Sequence, residues 1–489
     1  MFSFMFDLNK PSSRILLIAV SFAVLFLIFQ SYTVPFVSNL VATVLSFFDY
    51  FYLYLATLVL LGSLIIIISP LGRVRLGSGK PFVSTLSWIL MLFASGMGSG
   101  LIFWGISEPL VHLDVADKFQ FTANSDYSKA LAATYFNWGL HAWGIYLLAG
   151  LMLAYSFFVK NNKTNNQVAS VSESMQIKSK PLYFIINLVT VMSVLFGVVG
   201  TLANTLDLAA FGFNKKVFAD SFDKNTLKLI LLFITFMLFT FSSFFGIKRG
   251  ILVLSRVNCF IFMVLLLVVL SFSDLSVFCK IFADSIIDYG KFLINYSFYI
   301  PGDMKPWFSS WSINYFLWWL AWAPFVGSFI AVISYGRTIA QFLSLGILLP
   351  SFVSVVWFSA FAAAAKSNNL IPELKASLAQ HYTDPLFTFF SNMPYGYALI
   401  FLSIILLLMF VVTSADSAIY VLCFLSGSKD TSKYYKLALS FILLLLTVSL
   451  IYFDNLNLNR QVAVSWAIPY TLIYLFQCYN FIYKLLKKN

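Results

Sequence analysis

Twelve times between residues 14 and 484 this chain runs for about twenty residues with few charges, and that repetition constrains its fold more than anything else in it. The runs fall at 14–32, 48–69, 85–106, 130–158, 183–212, 227–246, 251–273, 312–333, 339–365, 395–424, 434–453 and 462–484. About 20 helical residues cross a bilayer core about 30 Å thick, and backbone inside hydrocarbon must satisfy its own hydrogen bonds. Each run therefore predicts a membrane-spanning α-helix. Charged residues make up 10% of the 489, against roughly 25% in soluble domains. No polar linker divides the chain, so one all-α polytopic domain over 1–489 is expected. The stretch 275–300, with Asp284, Asp288 and Lys291, is amphipathic and predicts a helix lying along the surface. Lys10 and Arg14 before the apolar 15–29 have the outline of a signal peptide. No clear small-residue cleavage site follows and many further spans do, so this segment reads as the first membrane helix.

An even number of spans puts both ends on one side. The loops on that side hold 19 Lys and Arg, against three acids, Asp7, Glu173 and Asp430; the other side keeps 12 basic residues and most of the acids. Short cytoplasmic loops are enriched in Lys and Arg, so both termini are expected in the cytoplasm, and the net charge of +12 reports topology in a lipid bilayer, with no nucleic-acid partner. The four cysteines are scattered without a CxxC, which argues against a disulfide framework or a metal cluster. The three histidines, His112, His141 and His381, form no HxxxxD or HExxH pattern, which argues against a membrane enzyme. No cofactor is expected.

Three constellations carry the chemistry. In the third span Gly96, Gly98 and Gly100 alternate at mid-membrane. Each glycine costs a helix interior about 1 kcal/mol, so three together favour unwinding, which is tolerated only against protein or a wet cavity. Close helix packing by small residues explains the same spacing equally well. In the fourth and eighth spans aromatic rings crowd together: Trp138, Trp143 and Tyr146, then Trp311, Trp318, Trp319 and Trp322. Trp138 and Trp143 lie inside the span, away from the interfacial belt where tryptophan is ordinarily placed. Indole faces attract a cation that cannot donate hydrogen bonds. His141, between the two, reads as hydrogen-bonded structure ahead of a proton relay. In the tenth span Thr413, Ser414, Asp416 and Ser417 put four oxygen-bearing side chains within five residues, which is costly in a membrane unless used. Thr413 and Ser414 suit a small hard cation, and Asp416 suits a structural or gating role; hydroxyls bonding back to the helix are the plainer reading.

In this order these segments resemble the betaine/choline/carnitine transporter family over about residues 50 to 480. The resemblance is carried by Gly72-Arg-Val-Arg-Leu-Gly77, by Gly96-Met-Gly-Ser-Gly-Leu-Ile-Phe-Trp104 with Glu108-Pro109, by Trp318 to Ala331 with Ile333-Ser-Tyr-Gly-Arg-Thr338, and by Thr413-Ser-Ala-Asp-Ser417. It implies two peripheral helices (14–69) ahead of a leucine-transporter-like core of two inverted five-helix repeats, 85–273 and 312–484. It implies a homotrimer in the bacterial cytoplasmic (inner) membrane. The expected activity is sodium symport, by alternating access, of a quaternary-ammonium compatible solute: glycine betaine first, choline or carnitine also. By this resemblance Trp138, Trp143, Tyr146 and Trp319 form an aromatic cage. Trp322 lies one turn further, and Met97 and Phe316 also line the substrate site. Sodium falls to the backbone of Ala94 and Met97 and the hydroxyls of Thr413 and Ser414. Gly96, Gly98, Gly100 and Asp416 serve gating and structure.

Departures from the pattern matter too. Phe316 stands where the family usually has tryptophan and Asn314 where an aromatic is expected, while Val332 and Tyr335 replace arginines. Gly100 stands where choline carriers tend to have aspartate, which favours a zwitterion. Asn258 stands where sodium-independent exchangers carry arginine, which favours sodium, with Arg256 only two residues away. The short tails lack the long charged extensions that serve osmotic sensing in some members. A sodium-independent exchanger or a proton symporter using His141 or Asp416 is the alternative.

Overall fold

A computed structural model describes residues 10–487 except 82, 161–169, 219, 247–249, 427–431 and 453–455. Asp7, Lys163, Lys248, Arg249, Lys429, Asp430 and Lys488, which entered the charge count, lie outside the described residues. The long helices run, in order, α1 Pro11–Ile28, α2 Gln30–Phe47, α3 Asp49–Ile68, α4 Thr85–Gly96, α5 Gly100–Leu113, α6 Asp126–Trp138, α7 Leu140–Ala154, α8 Lys180–Lys216 and α9 Lys224–Gly246. They continue with α10 Leu252–Ser271, α11 Leu275–Tyr296, α12 Asn314–Ile333, α13 Ile339–Ser367, α14 Gly396–Leu425, α15 Lys433–Ile451, α16 Leu456–Ser465 and α17 Ala467–Leu486. Among the described residues eleven helical stretches are long and apolar enough to cross a membrane, and the bent pair α4 and α5 makes twelve. Their bounds match the twelve apolar runs to within a few residues, except that the third span runs on to Leu113 and the eighth starts at Gly302. Helices also form outside those runs: residues 30–47 form α2, which packs against α16, and Ile371–Gln380 and Asp384–Ser391 follow α13.

The two ring-rich spans are the most enclosed. In the apolar windows of Asp126–Lys160 and Gly302–Ile333, 94% of residues are buried, against 39% for Leu252–Ser271. Trp138, Trp143, Trp319 and Trp322 are accordingly buried within the protein. The first is interrupted at Gly139, whose extended backbone (φ −98°, ψ −127°) ends α6 and starts α7. Helices α7 and α12 pack along each other, with α8 behind α12 and α14 behind α8. Asp274 opens the amphipathic α11; bonds from the Ser276 hydroxyl and amide and the Val277 amide hold its carboxyl below the usual carboxylate range. The inner face of α11, with Asp288, Tyr289 and Phe292 buried, packs on α6 and α13. Its outer face mixes exposed apolar side chains, Leu275 (72%) and Ile294 (83%), with the exposed Lys280 and Asn295.

On the side of the termini the loop before α4 is laced to the loop after α12. Leu76 N–H donates to Arg337 O (2.8 Å), Gly336 N–H to Leu76 O (2.7 Å) and Ile339 N–H to Val74 O (2.9 Å), with Arg75 and Thr338 bridged antiparallel. Gly77 and Gly336 turn the two strands at φ +89° and +82°, where a Cβ would be strained. Tyr335 sits between these turns, and its hydroxyl accepts from Gly79 N–H (3.2 Å). Arg337 closes the same end by stacking on Trp88 (4.4 Å) and donating to Val83 O (3.1 Å).

Candidate functional site

The alternating glycines stand at a break. Helix α4 ends at Gly96, α5 starts at Gly100, and the two axes differ by 61°. The backbone unwinds here, as the first reading of these glycines has it, and rings press into the gap. A Cβ on Gly96 would lie 2.5 Å from Trp143 Cη2, and one on Gly100 2.8 Å from Trp138 Cη2. An aspartate at position 100 has no room beside that indole. Gly98 is different: a Cβ there would meet only Ser414 Oγ at 3.5 Å and Trp322 at 3.9 Å. Gly98→Ala should accordingly keep the wild-type melting temperature in detergent, whereas Gly96→Ala should lose about 1–3 kcal/mol of stability to overpacking. Equal melting of the two variants would count against this account.

Beside the break lies a cavity of about 60 Å³. Met97, Gly98 and Gly100 form one wall, Trp138, Trp319 and Trp322 another, with Tyr315, Trp104 and the polar Thr201, Asn204 and Thr205 completing it. Trp138 and Trp319 meet edge to face at 5.2 Å, and Tyr315 stacks on Trp319 at 5.6 Å. Their N–H groups are anchored outside the cavity: Trp138 Nε1 donates to Glu108 Oε2 (2.7 Å) and Trp319 Nε1 to Asn137 O (2.9 Å). Trp322 Nε1 is buried with no acceptor among the described residues.

The expected cage is rearranged. Trp143 and Tyr146 touch each other (5.7 Å), and Tyr146 reaches Trp319 (5.8 Å), so the rings form one connected cluster. However, Trp143 stands behind Gly96, and neither ring lines the cavity. The break at Gly139 leaves Trp138 at the end of α6 and sends Trp143 and Tyr146 along α7, one and two turns deeper. Phe316 is not a cavity residue either. It points to the other face of α12, against Phe136 (5.7 Å) and His141 (5.3 Å), and its neighbour Tyr315 takes the place expected of it. His141 is buried with Thr57 Oγ1 at 3.3 Å from Nε2, in keeping with the structural reading.

Glu108 was quoted only as part of a motif, yet it organises this site. It is fully buried on α5. Its oxygens accept from Trp138 Nε1 (2.7 Å), Tyr315 Oη (2.6 Å) and Asn137 Nδ2 (2.8 Å), with His112 Nε2 at 3.2 Å. One carboxylate thus orients two cavity rings from α6 and α12. The apolar run ends at residue 106 in the sequence, so Glu108 falls just outside it; the structure carries the helix on to Leu113 and buries the carboxylate in it. Arg460, in the short α16, was missed as well; it also lines the cavity.

Across the break lie the hydroxyls of α14. Ser414 Oγ is buried and has no partner among the described residues. Thr413 Oγ1 donates to Met409 O (2.9 Å) and accepts from Asn258 Nδ2 (2.8 Å). Asn258 Nδ2 also donates to Met409 O (3.2 Å), so α10 ties onto α14 at this level. Ala94 is buried on the last turn of α4. Asp416, one turn on from Thr413, accepts from Ser242, while its Oδ1 has no hydrogen-bond partner among the described residues.

Known proteins agree with this architecture. The betaine/carnitine/choline family transporter profile matches residues 13–489. The glycine betaine transporter OpuD of Bacillus subtilis is 32% identical over 88% of this chain and 85% of its own length. A glycine betaine/proline/choline/ectoine transporter of Vibrio parahaemolyticus is 33% identical over 77% of this chain and 68% of its own, and a probable glycine betaine transporter of Desulfitobacterium hafniense is 28% identical over 96% and 97%. With a broken third span, ring-bearing α6, α7 and α12 around it and this coverage, the chain belongs to the betaine/carnitine/choline family of transporters.

Proposed function

We propose that this transporter takes up glycine betaine or a near zwitterionic relative by sodium symport and alternating access. The observation that carries the reading is the convergence of Trp138, Trp319 and Trp322 on one cavity at the break between α4 and α5. A trimethylammonium group presents only methyls bearing diffuse charge, so indole faces can replace its weak hydration at about 0.5–2 kcal/mol per contact. Trp143 and Tyr146 support those rings from behind and would join the cage if α4 shifted off Trp143. Gly100, closed to a carboxylate by Trp138, favours a cargo that brings its own anion.

Sodium would be held by Ser414 Oγ, by the remaining lone pair of Thr413 Oγ1 and by the backbone around Ala94 and Met97. The open valence of Ser414 beside Gly98 fits such an ion. An ion bridging the unwound segment and α14 would favour the cargo-ready geometry, and the coupling would be reciprocal. The loop charges support cytoplasmic termini in the bacterial inner membrane, where each positive charge moving inward gains about 2.3 kcal/mol per 100 mV. The homotrimer and the two inverted repeats are part of the same proposal, and family membership favours them.

Uptake of radiolabelled glycine betaine into proteoliposomes, under a sodium gradient or a pH gradient imposed separately, tests the reading. Uptake should follow sodium. Thr413→Ala with Ser414→Ala should raise the sodium concentration for half-maximal uptake several-fold, and unchanged sodium dependence would sink the assigned ion site. Uptake driven by pH alone would instead favour proton symport, for which Asp416, buried with an unpartnered oxygen, is the group to examine.

A further inference from the structure

We propose that Arg460 selects a zwitterionic cargo over a plain cation by receiving its carboxylate at the far end of the aromatic cavity. This rests on the reading that the cavity takes a quaternary ammonium compound.

The guanidinium lies over three rings, with its central carbon 5.2 Å from the centre of Trp311, 5.6 Å from Trp104 and 5.7 Å from Tyr315. These rings are thereby engaged by a resident cation, and an incoming ammonium is left the faces of Trp138, Trp319 and Trp322. Stacking uses the faces of the guanidinium plane. Its five N–H donors point around the edge and match a carboxylate two at a time. Among the described residues no group accepts a hydrogen bond from Arg460 and none pairs with it. Glu108, on the other side of Tyr315, has both oxygens engaged by Trp138, Tyr315, Asn137 and His112.

Position adds to this. Arg460 lines the aromatic cavity and also a wider vestibule of about 710 Å³ that reaches Lys305 and Asn314 on the side away from the termini. It stands at the boundary between them, where an entering cargo passes. It is also the one formally charged side chain among the described residues lining the aromatic cavity. A lone cation brings no anion to the guanidinium and meets its like charge. A zwitterion places its ammonium on the indoles and its anion on the guanidinium, which makes opposite ends of one small molecule both favourable.

The test uses the purified full chain in proteoliposomes, with glycine betaine, choline and glycine betaine methyl ester, which keeps the ammonium and removes the anion. In the wild type the ester and choline should compete poorly with betaine. Arg460→Gln should raise the betaine KM about 10- to 100-fold, the weight of a charged hydrogen-bonded pair, while competition by choline and the ester holds or improves. Arg460→Lys should keep most of the preference. An unchanged betaine-to-choline ratio in Arg460→Gln overturns the inference alone, as does a lysine variant no better than glutamine. An ester that rivals betaine on the wild type overturns it without any variant. If the wild type binds neither betaine nor choline, the cargo reading falls and takes this one with it.

Discussion

Trp319→Leu should raise the half-saturating concentration of glycine betaine about tenfold or more, while Phe260→Ala on the outer face of α10 should leave it unchanged. Leucine keeps an apolar side chain at a position only 5% exposed, so the change isolates the ring. One cation–π contact is worth about 0.5–2 kcal/mol, and the variant also leaves Asn137 O without its donor (2.9 Å). Phe260 is 70% exposed and touches neither rings nor break. To separate charge from shape, 3,3-dimethylbutanoate, the carbon isostere of betaine, is the comparison ligand. Wild type should prefer betaine over it strongly, and Trp319→Leu should erase most of that preference. If the isostere binds the wild type as tightly as betaine does, these indoles are ordinary core and the proposed cargo loses its seat.

Glu108→Ala should be the most damaging single change in the site. It strips an acceptor from Trp138 Nε1, Tyr315 Oη and Asn137 Nδ2 together, all of them buried. Each stranded donor costs about 1–3 kcal/mol, so a stability loss of about 3–5 kcal/mol is expected, seen as a lower melting temperature in detergent. Glu108→Gln keeps the shape but turns one acceptor into a donor facing donors. It should fold and still bind betaine about tenfold more weakly, because Trp138 and Tyr315 lose their fixed orientation. A glutamine variant that binds and transports like wild type would show that the carboxylate does not set the rings.

Spans were legible because about twenty apolar residues per crossing is a one-dimensional requirement that sequence meets directly. Helix α2 was not, since Gln30, Ser31, Thr33 and Asn39 dilute its apolar signal and its packing on α16 is a long-range contact. The glycine break was legible in kind but not in outcome: spacing could not tell unwinding from close helix packing, nor that indoles would fill the gap. In the aromatic cluster the members were readable and the arrangement was not. Which face of α12 carries Phe316 and which carries Tyr315 depends on helix rotation, and the depth of Trp143 depends on the turn at Gly139. Arg460 escaped notice because its rings come from residues some 150 to 350 positions earlier in the chain.

The lacing between residues 74–76 and 336–339 supplies a clock. Were an opening toward the face that carries the termini to part these two loops, the amides of Leu76, Gly336 and Ile339 would lose their carbonyls to water together. Their deuterium uptake would therefore count excursions of the carrier to that face, residue by residue, in the absence of any flux. Cargo and ion added together should change that count in step, and added singly they should not.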